Sequence, residues 1–250
     1  MFTFIDPVFL SLAVPAALGA WTAHRARAIT HAFPPGGQFV ETRAGRLHVV
    51  DRGEGDLPVV FLHGASSSIR VWEPALGARL GQLGRTILID RPGHGFSERR
   101  AGRAAARLDH QAGAVIDVLD ALGITKAVIV AHSWAGALAC RLALDHGERV
   151  AGLMMIAPAT HPWDETVRIH WYYSVAAHPV LGPLFAWTVA LPAGEFWLRR
   201  SVAEVFAPQA VGDTYVADAG IPLALRPSQF RANAEDCIHL LDEIRAQASR

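Results

Sequence analysis

Short, continuously apolar segments recur along this chain, and they constrain its fold more than any other feature. Pro58–His63, Arg85–Asp90, Lys126–Ala131 and Val150–Ile156 each have the length of one strand and an almost entirely aliphatic centre. Strands without polar alternation are typical of parallel sheets that are buried on both faces. Helix-forming stretches such as Leu108–Leu122 lie between them. We therefore predict an α/β fold, with helices covering both faces of a mostly parallel sheet.

The first 31 residues differ from the rest of the chain. Pro7–Ala23 contains no charged residue, and His24, Arg25 and Arg27 follow it directly. The run is shorter than the roughly 20 residues of a spanning helix, and Pro15 is expected to interrupt it. A secretory signal would carry its basic residues before the apolar run. Three interpretations stay open, namely a short anchor with a cytoplasmic basic end, a helix lying on the membrane, and an apolar helix packed on the domain.

Composition excludes several classes of function. Lys plus Arg and Asp plus Glu number 23 each, so no basic excess points to nucleic acid. Cys140 and Cys237 lie far apart and have no metal-ligand spacing. No glycine-rich phosphate loop is found either. We therefore expect no metal, no other cofactor and no nucleic-acid partner, and a cytoplasmic location, with attachment to the inner face of the membrane if residues 7–23 form an anchor.

A chemically informative motif follows the strand Lys126–Ala131. The segment Ala131-His132-Ser133-Trp134-Ala135-Gly136 leads into a helix-forming stretch, which predicts a strand–turn–helix with Ser133 at its apex. A nucleophile on such a sharp turn brings neighbouring backbone close, so small residues are needed two positions before and after it. Alanine occupies both positions here. The alternative is that Ser133 only caps the following helix.

Two further motifs follow earlier strands and favour the catalytic interpretation. His63-Gly64-Ala65 ends one strand, and Asp90-Arg91-Pro92-Gly93-His94-Gly95-Phe96-Ser97 follows the next. With these three motifs, the chain resembles the α/β-hydrolase superfamily, in the branch of esterases, lipases and C–C hydrolases with a helical cap. The resemblance covers about residues 38–160 specifically. It implies an antiparallel second strand, a helical cap after Val150–Ile156 and an oxyanion hole formed by the backbone N–H groups of Ala65 and Trp134.

The type of nucleophile narrows the range of reactions that the chain could catalyse. Dehalogenases and epoxide hydrolases of this superfamily carry Asp at the corresponding bend, whereas Ser133 suits attack on a carbonyl and an acyl-enzyme. The expected function is that of a serine hydrolase acting on a carboxylic ester. C–C bond hydrolysis, acyl transfer and perhydrolysis use the same arrangement, and a non-catalytic binding protein on a hydrolase scaffold is the alternative from another class.

The other two members of a Ser–Asp–His triad are not found in their usual places. The resemblance implies an acid and then a histidine after two further strands, but Pro227–Arg250 is predicted to be one long helix. We therefore expect a C-terminally truncated chain that lacks its last strands and is inactive or nearly so. Asp164, after the last apolar strand, is the alternative acid. His161, His170, His178 and His239 are expected to be surface or packing residues.

The region after residue 158 indicates the substrate. Ile169–Gly194 has no Asp, Glu, Lys or Arg and is rich in aromatic residues, with Pro179, Pro183 and Pro192 as predicted breaks. Short helices with an apolar underside could close over the site and select a small hydrophobic ester, or could simply pack on the core. We divide the chain into an apolar N-terminal segment (1–31), a core (38–158), a helical cap (159–226) and a helix that returns to the core (227–250).

Overall fold

The computed structural model describes residues 7–164 and 169–250. Six strands form one sheet with the order β1-β2-β4-β3-β5-β6. Their bounds are β1 Gln38–Thr42, β2 Gly45–Arg52, β3 Val59–Leu62, β4 Thr86–Ile89, β5 Ala127–His132 and β6 Val150–Ile156. Strand β2 is antiparallel to both β1 and β4, whereas β3 to β6 run parallel to one another. The predicted fold class, including its antiparallel second strand, is confirmed.

Helices connect and cover these strands. The α-helices are α1 Pro7–Ala32, α2 Trp72–Leu76, α3 Leu108–Ala121, α4 Ala135–Asp145, α5 Trp171–Ala177, α6 Leu181–Phe185, α7 Leu191–Phe206, α8 Tyr215–Asp218 and α9 Pro227–Gln247. A π-helical segment, Ala186–Ala190, joins α6 to α7. Short 3-10 segments are Ile69–Val71, Gly77–Gln82, Gly102–Ala106, Gly147–Arg149 and Ile221–Leu225.

The sheet is buried on both faces at its centre. In β3, Val60 and Leu62 pack into a large core with residues of α3, α4 and α9, whereas Phe61 points to the opposite face. There Phe61 meets the ring of Trp72 at 5.1 Å between centroids. Because alternate residues of a strand face opposite sides of the sheet, a strand that is apolar throughout is expected where both faces of the sheet are buried.

Strand β6 departs from this pattern. The sequence predicts a strand buried on both faces, but Leu153, Met154 and Ile156 are 39%, 59% and 41% exposed. Within the described residues, β6 pairs with β5 only and lies at the edge of the sheet. Its apolar character is therefore not matched by burial in this structure.

The N-terminal segment is a single helix, and Pro15 lies inside it. The expectation that Pro15 interrupts the run was wrong, because a helix of 26 residues can lose one N–H···O bond and continue. The second half of α1 packs on the domain, where Ile29 joins a cluster with Leu191, Leu223 and Leu225. In the first half, Leu12 is 71% exposed.

No single helix among the described residues is long and apolar enough to cross a membrane. One bent pair of helices, Trp171–Ala177 with Leu181–Phe206, meets the criteria of length and composition, and its two parts are inclined by 115°.

The aromatic region after β6 forms helices, but its side chains do not all face inward. Pro179 precedes α6, but the predicted breaks at Pro183 and Pro192 were wrong, because both lie in the first turn of a helix, where proline is tolerated, and the helix from Leu181 to Phe206 continues through them. Tyr173 and Phe185 pack partly against α9, while Trp171 and Phe196 are 70% and 78% exposed. The apolar underside that we predicted is accompanied by an apolar outer surface.

Candidate active site

Ser133 lies at a strained bend between β5 and α4. Its φ is +53°, a left-handed conformation that non-glycine residues rarely adopt. The bend is held by β6 and the loop after it, since the Ser133 N–H donates to the Ile156 carbonyl and the Ala159 N–H donates to the Ser133 carbonyl, both at 3.0 Å. Ala131 and Ala135 are fully buried on either side. Such strain persists where the surrounding structure enforces it, and it is concentrated at functional sites.

The loop after β3 lies directly against this bend. A Cβ placed on Gly64 would lie 3.0 Å from the Ser133 Cβ and 3.2 Å from the His132 carbonyl oxygen. That distance is tighter than nine in ten real Cβ contacts, so a side chain at position 64 would push the two segments apart by a few tenths of an ångström. The sequence motifs around Ala65 and Ser133 are thus brought together in space.

Two backbone donors are available at this junction. Within the described part of the chain, neither the Ala65 N–H nor the Trp134 N–H donates to a protein acceptor. Trp134 immediately precedes α4, so its N–H lies at the positive end of that helix. Free N–H groups beside a hydroxyl can stabilise negative charge that develops on a substrate oxygen.

A buried arginine connects both sides of the junction. Arg91 is fully buried and donates from Nε to the His63 carbonyl (3.0 Å) and from Nη2 to the Gly64 carbonyl (3.2 Å). Its guanidinium also stacks on the Trp134 ring, 3.9 Å from the centroid. Its charge is compensated by Asp236 on α9, at 2.7 Å.

Helix α9 holds the same loop at a second point. The buried Asn233 accepts a hydrogen bond from the Ser66 N–H (2.6 Å) and donates one to the Ser66 hydroxyl (3.0 Å). Ser66 has a φ of +50°, so this side chain supports a second left-handed residue next to Ala65. The Trp134 indole N–H donates to the Asp236 carbonyl at 3.1 Å.

The histidines around the site are held in their neutral form. Burial, assisted by the nearby Arg91 charge, keeps the pKa values of His63 and His94 well below the usual range. His63 accepts a hydrogen bond from the Arg91 N–H at Nε2, so its Nδ1 carries the proton and donates to the Gly64 carbonyl. Burial also lowers the pKa of His132, whose ring lies beside Trp72 at 6.3 Å.

The structure does not join Ser133 to a base. No hydrogen bond links its hydroxyl to a histidine or a carboxylate within residues 7–164 and 169–250. The alternative acid Asp164 is exposed in the segment after β6. The histidines that were expected at the surface are all exposed, and His170 stacks on Tyr172 at 5.0 Å. No group of three or more His, Cys, Asp or Glu side chains in this part of the chain could hold a metal.

Sequence reasoning missed the contributions of Asn233, Asp236 and Arg91. It treated Pro227–Arg250 only as one long helix. The available signal was a group of three polar residues, Asn233, Glu235 and Asp236, in the middle of that helix. Spacing alone could not identify their partners, which lie more than 100 positions away in the sequence.

Comparisons with known proteins agree with this geometry. Residues 58–176 match the family model described as alpha/beta hydrolase fold. Epoxide hydrolase B of Mycobacterium tuberculosis is 32% identical over 123 residues, which are 48% of this chain and 35% of that protein. The 2-hydroxymuconate semialdehyde hydrolase of Pseudomonas putida is 35% identical over 127 residues, which are 49% and 43% of the two chains.

The fold comparison extends further along the chain. The crystal structure of an epoxide hydrolase from Vigna radiata aligns with a TM-score of 0.66 and 18% identity, covering 86% of this chain and 74% of that one. The chain spans less than half the length of the two curated relatives above. The order of its strands, the bend at Ser133 and the family model matched over residues 58–176 all lead to one conclusion: this chain has the α/β-hydrolase fold.

Proposed function

We propose that Ser133 is the nucleophile of a serine hydrolase that cleaves carboxylic esters with an apolar acyl or alkyl part. The observation that carries the proposal is the left-handed Ser133 residue, which stands between β5 and α4 and lies against Gly64. Because the chain spans less than half of the curated relatives, the activity of the whole protein is part of the proposal.

The chemistry follows from the groups at the junction. The Ser133 oxygen would attack the ester carbonyl, its proton would pass to a base, and the carbonyl oxygen would become an oxyanion. The N–H groups of Ala65 and Trp134 would donate to that oxyanion. Collapse of the tetrahedral intermediate would release the alcohol and leave an acyl group on Ser133, which water would then remove.

The lack of a base beside Ser133 limits the catalytic activity that we expect of this chain. A serine hydroxyl without a hydrogen-bonded base is a weak nucleophile, and among the described residues no histidine is hydrogen-bonded to the Ser133 hydroxyl. We therefore expect the 250-residue chain to hydrolyse esters very slowly or not at all. Ser133 should still react with a strong phosphonylating reagent. Added imidazole, which can act as an external base, should accelerate that reaction.

C–C bond hydrolysis is a second candidate. It is favoured by the 35% identity to the 2-hydroxymuconate semialdehyde hydrolase of Pseudomonas putida. The same serine and the same two N–H groups would serve a ketone carbonyl in that reaction. A non-catalytic binding role is the alternative from a different class, and the lack of a base beside Ser133 is the observation that favours it.

An alkyl fluorophosphonate tests the proposal. We expect a covalent adduct on the peptide that contains Ser133, formed faster with imidazole, absent in Ser133→Ala and retained in Ser174→Ala. Ser174 is a matched control because it is an exposed serine on α5. Equal labelling of Ser133→Ala, or no adduct even with imidazole, would contradict the nucleophile assignment and favour the binding role. Hydrolysis of p-nitrophenyl esters of increasing chain length by the whole protein would then test the apolar substrate.

A further inference from the structure

A groove of about 460 Å³ lies between α1 and the beginning of α9. Its lining includes Arg27 and His31 of α1, Trp187 of the π-helical segment, and Arg226 and Arg231 at the start of α9. No Asp or Glu lines it among the described residues. A concave surface with several cations and no carboxylate attracts anions.

Arg226 is the most informative of these residues. It is 9% exposed, and no carboxylate of the described residues lies within ion-pair distance of it. Burial lowers its pKa to about 10, and Asp90 offsets part of that effect. The guanidinium donates to the Leu223 and Gly95 carbonyls and to the Thr30 hydroxyl, which occupies three of its five N–H groups. A buried cation without a counter-charge is costly, and an anion in the groove would compensate it.

The first turn of α9 adds to the positive electrostatic potential of the groove. The N–H groups of Ser228 and Gln229, which both line the groove, have no acceptor within their own helix. There is no acidic residue in this turn. The positive end of a helix of 21 residues therefore faces the groove, beside the Arg226 guanidinium.

The surface beside the groove is apolar. Trp187 belongs to the groove lining and is 45% exposed, and Leu184, about one turn earlier on α6, is 57% exposed. On α1, which packs against the Trp187 segment, Leu12 is 71% exposed and lies by helical spacing on the same side as the groove residues Ala23 and Ala26. Neither residues 7–32 nor residues 169–194 contain an Asp or Glu, and the next residue, Glu195, is ion-paired with Arg25 of α1 at 2.7 Å, so the negative charge near this surface is compensated.

We propose that this face binds the surface of a membrane rich in acidic phospholipids, with a lipid phosphate in the groove and the apolar side chains of α1 and the Trp187 segment in the interfacial region. A free anion would account for the cations, but not for exposed tryptophan and aliphatic side chains next to them. Tryptophan prefers the membrane–water interface, and basic residues are attracted to acidic lipids. The proposal is independent of the hydrolase assignment, because none of the residues assigned to that chemistry lines the groove.

Vesicle flotation tests the proposal. We expect the chain to bind vesicles of phosphatidylcholine with about one third phosphatidylglycerol, and to bind pure phosphatidylcholine much more weakly. Arg27→Glu removes one positive charge and adds a negative one at an exposed position. Since each basic residue near an acidic surface strengthens binding about fivefold, this variant should bind about 25-fold more weakly.

Arg79→Glu is the matched control, because Arg79 is an exposed arginine in the segment between β3 and β4 and does not line the groove. It should bind acidic vesicles as the parent chain does. Trp187→Gln, which changes no charge, should weaken binding to both kinds of vesicle. The proposal is overturned by equal binding to neutral and acidic vesicles, by no binding to acidic ones, or by an equal effect of Arg79→Glu. It is also overturned if inorganic phosphate raises the melting temperature while acidic vesicles are not bound, since the groove would then be a site for a soluble anion.

Discussion

Replacement of Asp236 by alanine should destabilise this protein more than any exposed charge substitution on the same helix. Both side chains of the Arg91–Asp236 pair are fully buried, and Asp236 also accepts hydrogen bonds from Arg99 (3.0 Å) and Gln111 (3.2 Å). Asp236→Ala leaves the Arg91 cation buried without its partner. Removal of one member of a buried pair typically costs about 3–5 kcal/mol, a large part of the stability of an ordinary domain.

The Asp236→Ala substitution should also disturb the candidate active site. Arg91 holds the His63 and Gly64 carbonyls and the Trp134 ring, so its displacement should separate the two N–H groups proposed to form the oxyanion hole. Phosphonylation of the nucleophile should then be slower than in the parent chain. This effect is measured under conditions in which the variant is still folded.

Urea unfolding followed by circular dichroism measures the loss of stability. Asp242→Ala is the matched control, because Asp242 lies on α9, is 79% exposed and is 3.5 Å from Arg245. It should leave the midpoint unchanged. A double variant, Arg91→Met with Asp236→Leu, should recover much of the loss, since it removes both charges. The reasoning is refuted if Asp236→Ala costs less than about 1 kcal/mol, or if the double variant is less stable than Asp236→Ala alone.

Three further predictions follow from the site and its surroundings. Gly64→Ala should slow phosphonylation of the nucleophile at least tenfold, because its Cβ would press on the bend, whereas Gly81→Ala, with open space around it, should not; equal rates would contradict this. His63 and His94 have lowered pKa values when folded, so the stability that they contribute is complete above pH 6.5 and is lost as the pH falls below it. The free energy of unfolding should fall between pH 6.5 and 5, by up to about 1.4 kcal/mol per pH unit for each histidine. The urea midpoint should therefore drop over this range, and a constant midpoint would refute the assignment. Burial raises the pKa of Cys237 to about 12, so its thiolate fraction at pH 8 should be about 1000-fold below that of an ordinary thiol, and labelling by iodoacetamide followed by mass spectrometry should be fast only after unfolding.

The fold could be predicted because its determinants are local. Apolar runs such as Pro58–His63 specify strands covered on both faces, and the motif around Ser133 specifies a bend between a strand and a helix. Each depends on neighbours a few positions away. The edge position of β6 could not be predicted in this way, because a strand at the edge and a strand at the centre can have the same sequence.

The sequence by itself determined the α/β class and the place of Ser133 at a bend flanked by alanines, and its resemblance to the α/β-hydrolase superfamily implied the antiparallel second strand. Only the tertiary structure decided that Gly64 approaches Ser133, that Asn233 and Asp236 of α9 hold the loop beside it, and that cations of α1 and α9 share one groove. The physical reason is the range of the interactions. Periodicity and turn chemistry act between residues close in sequence, whereas ion pairs and cavities join residues that only the packing of helices on the sheet brings together.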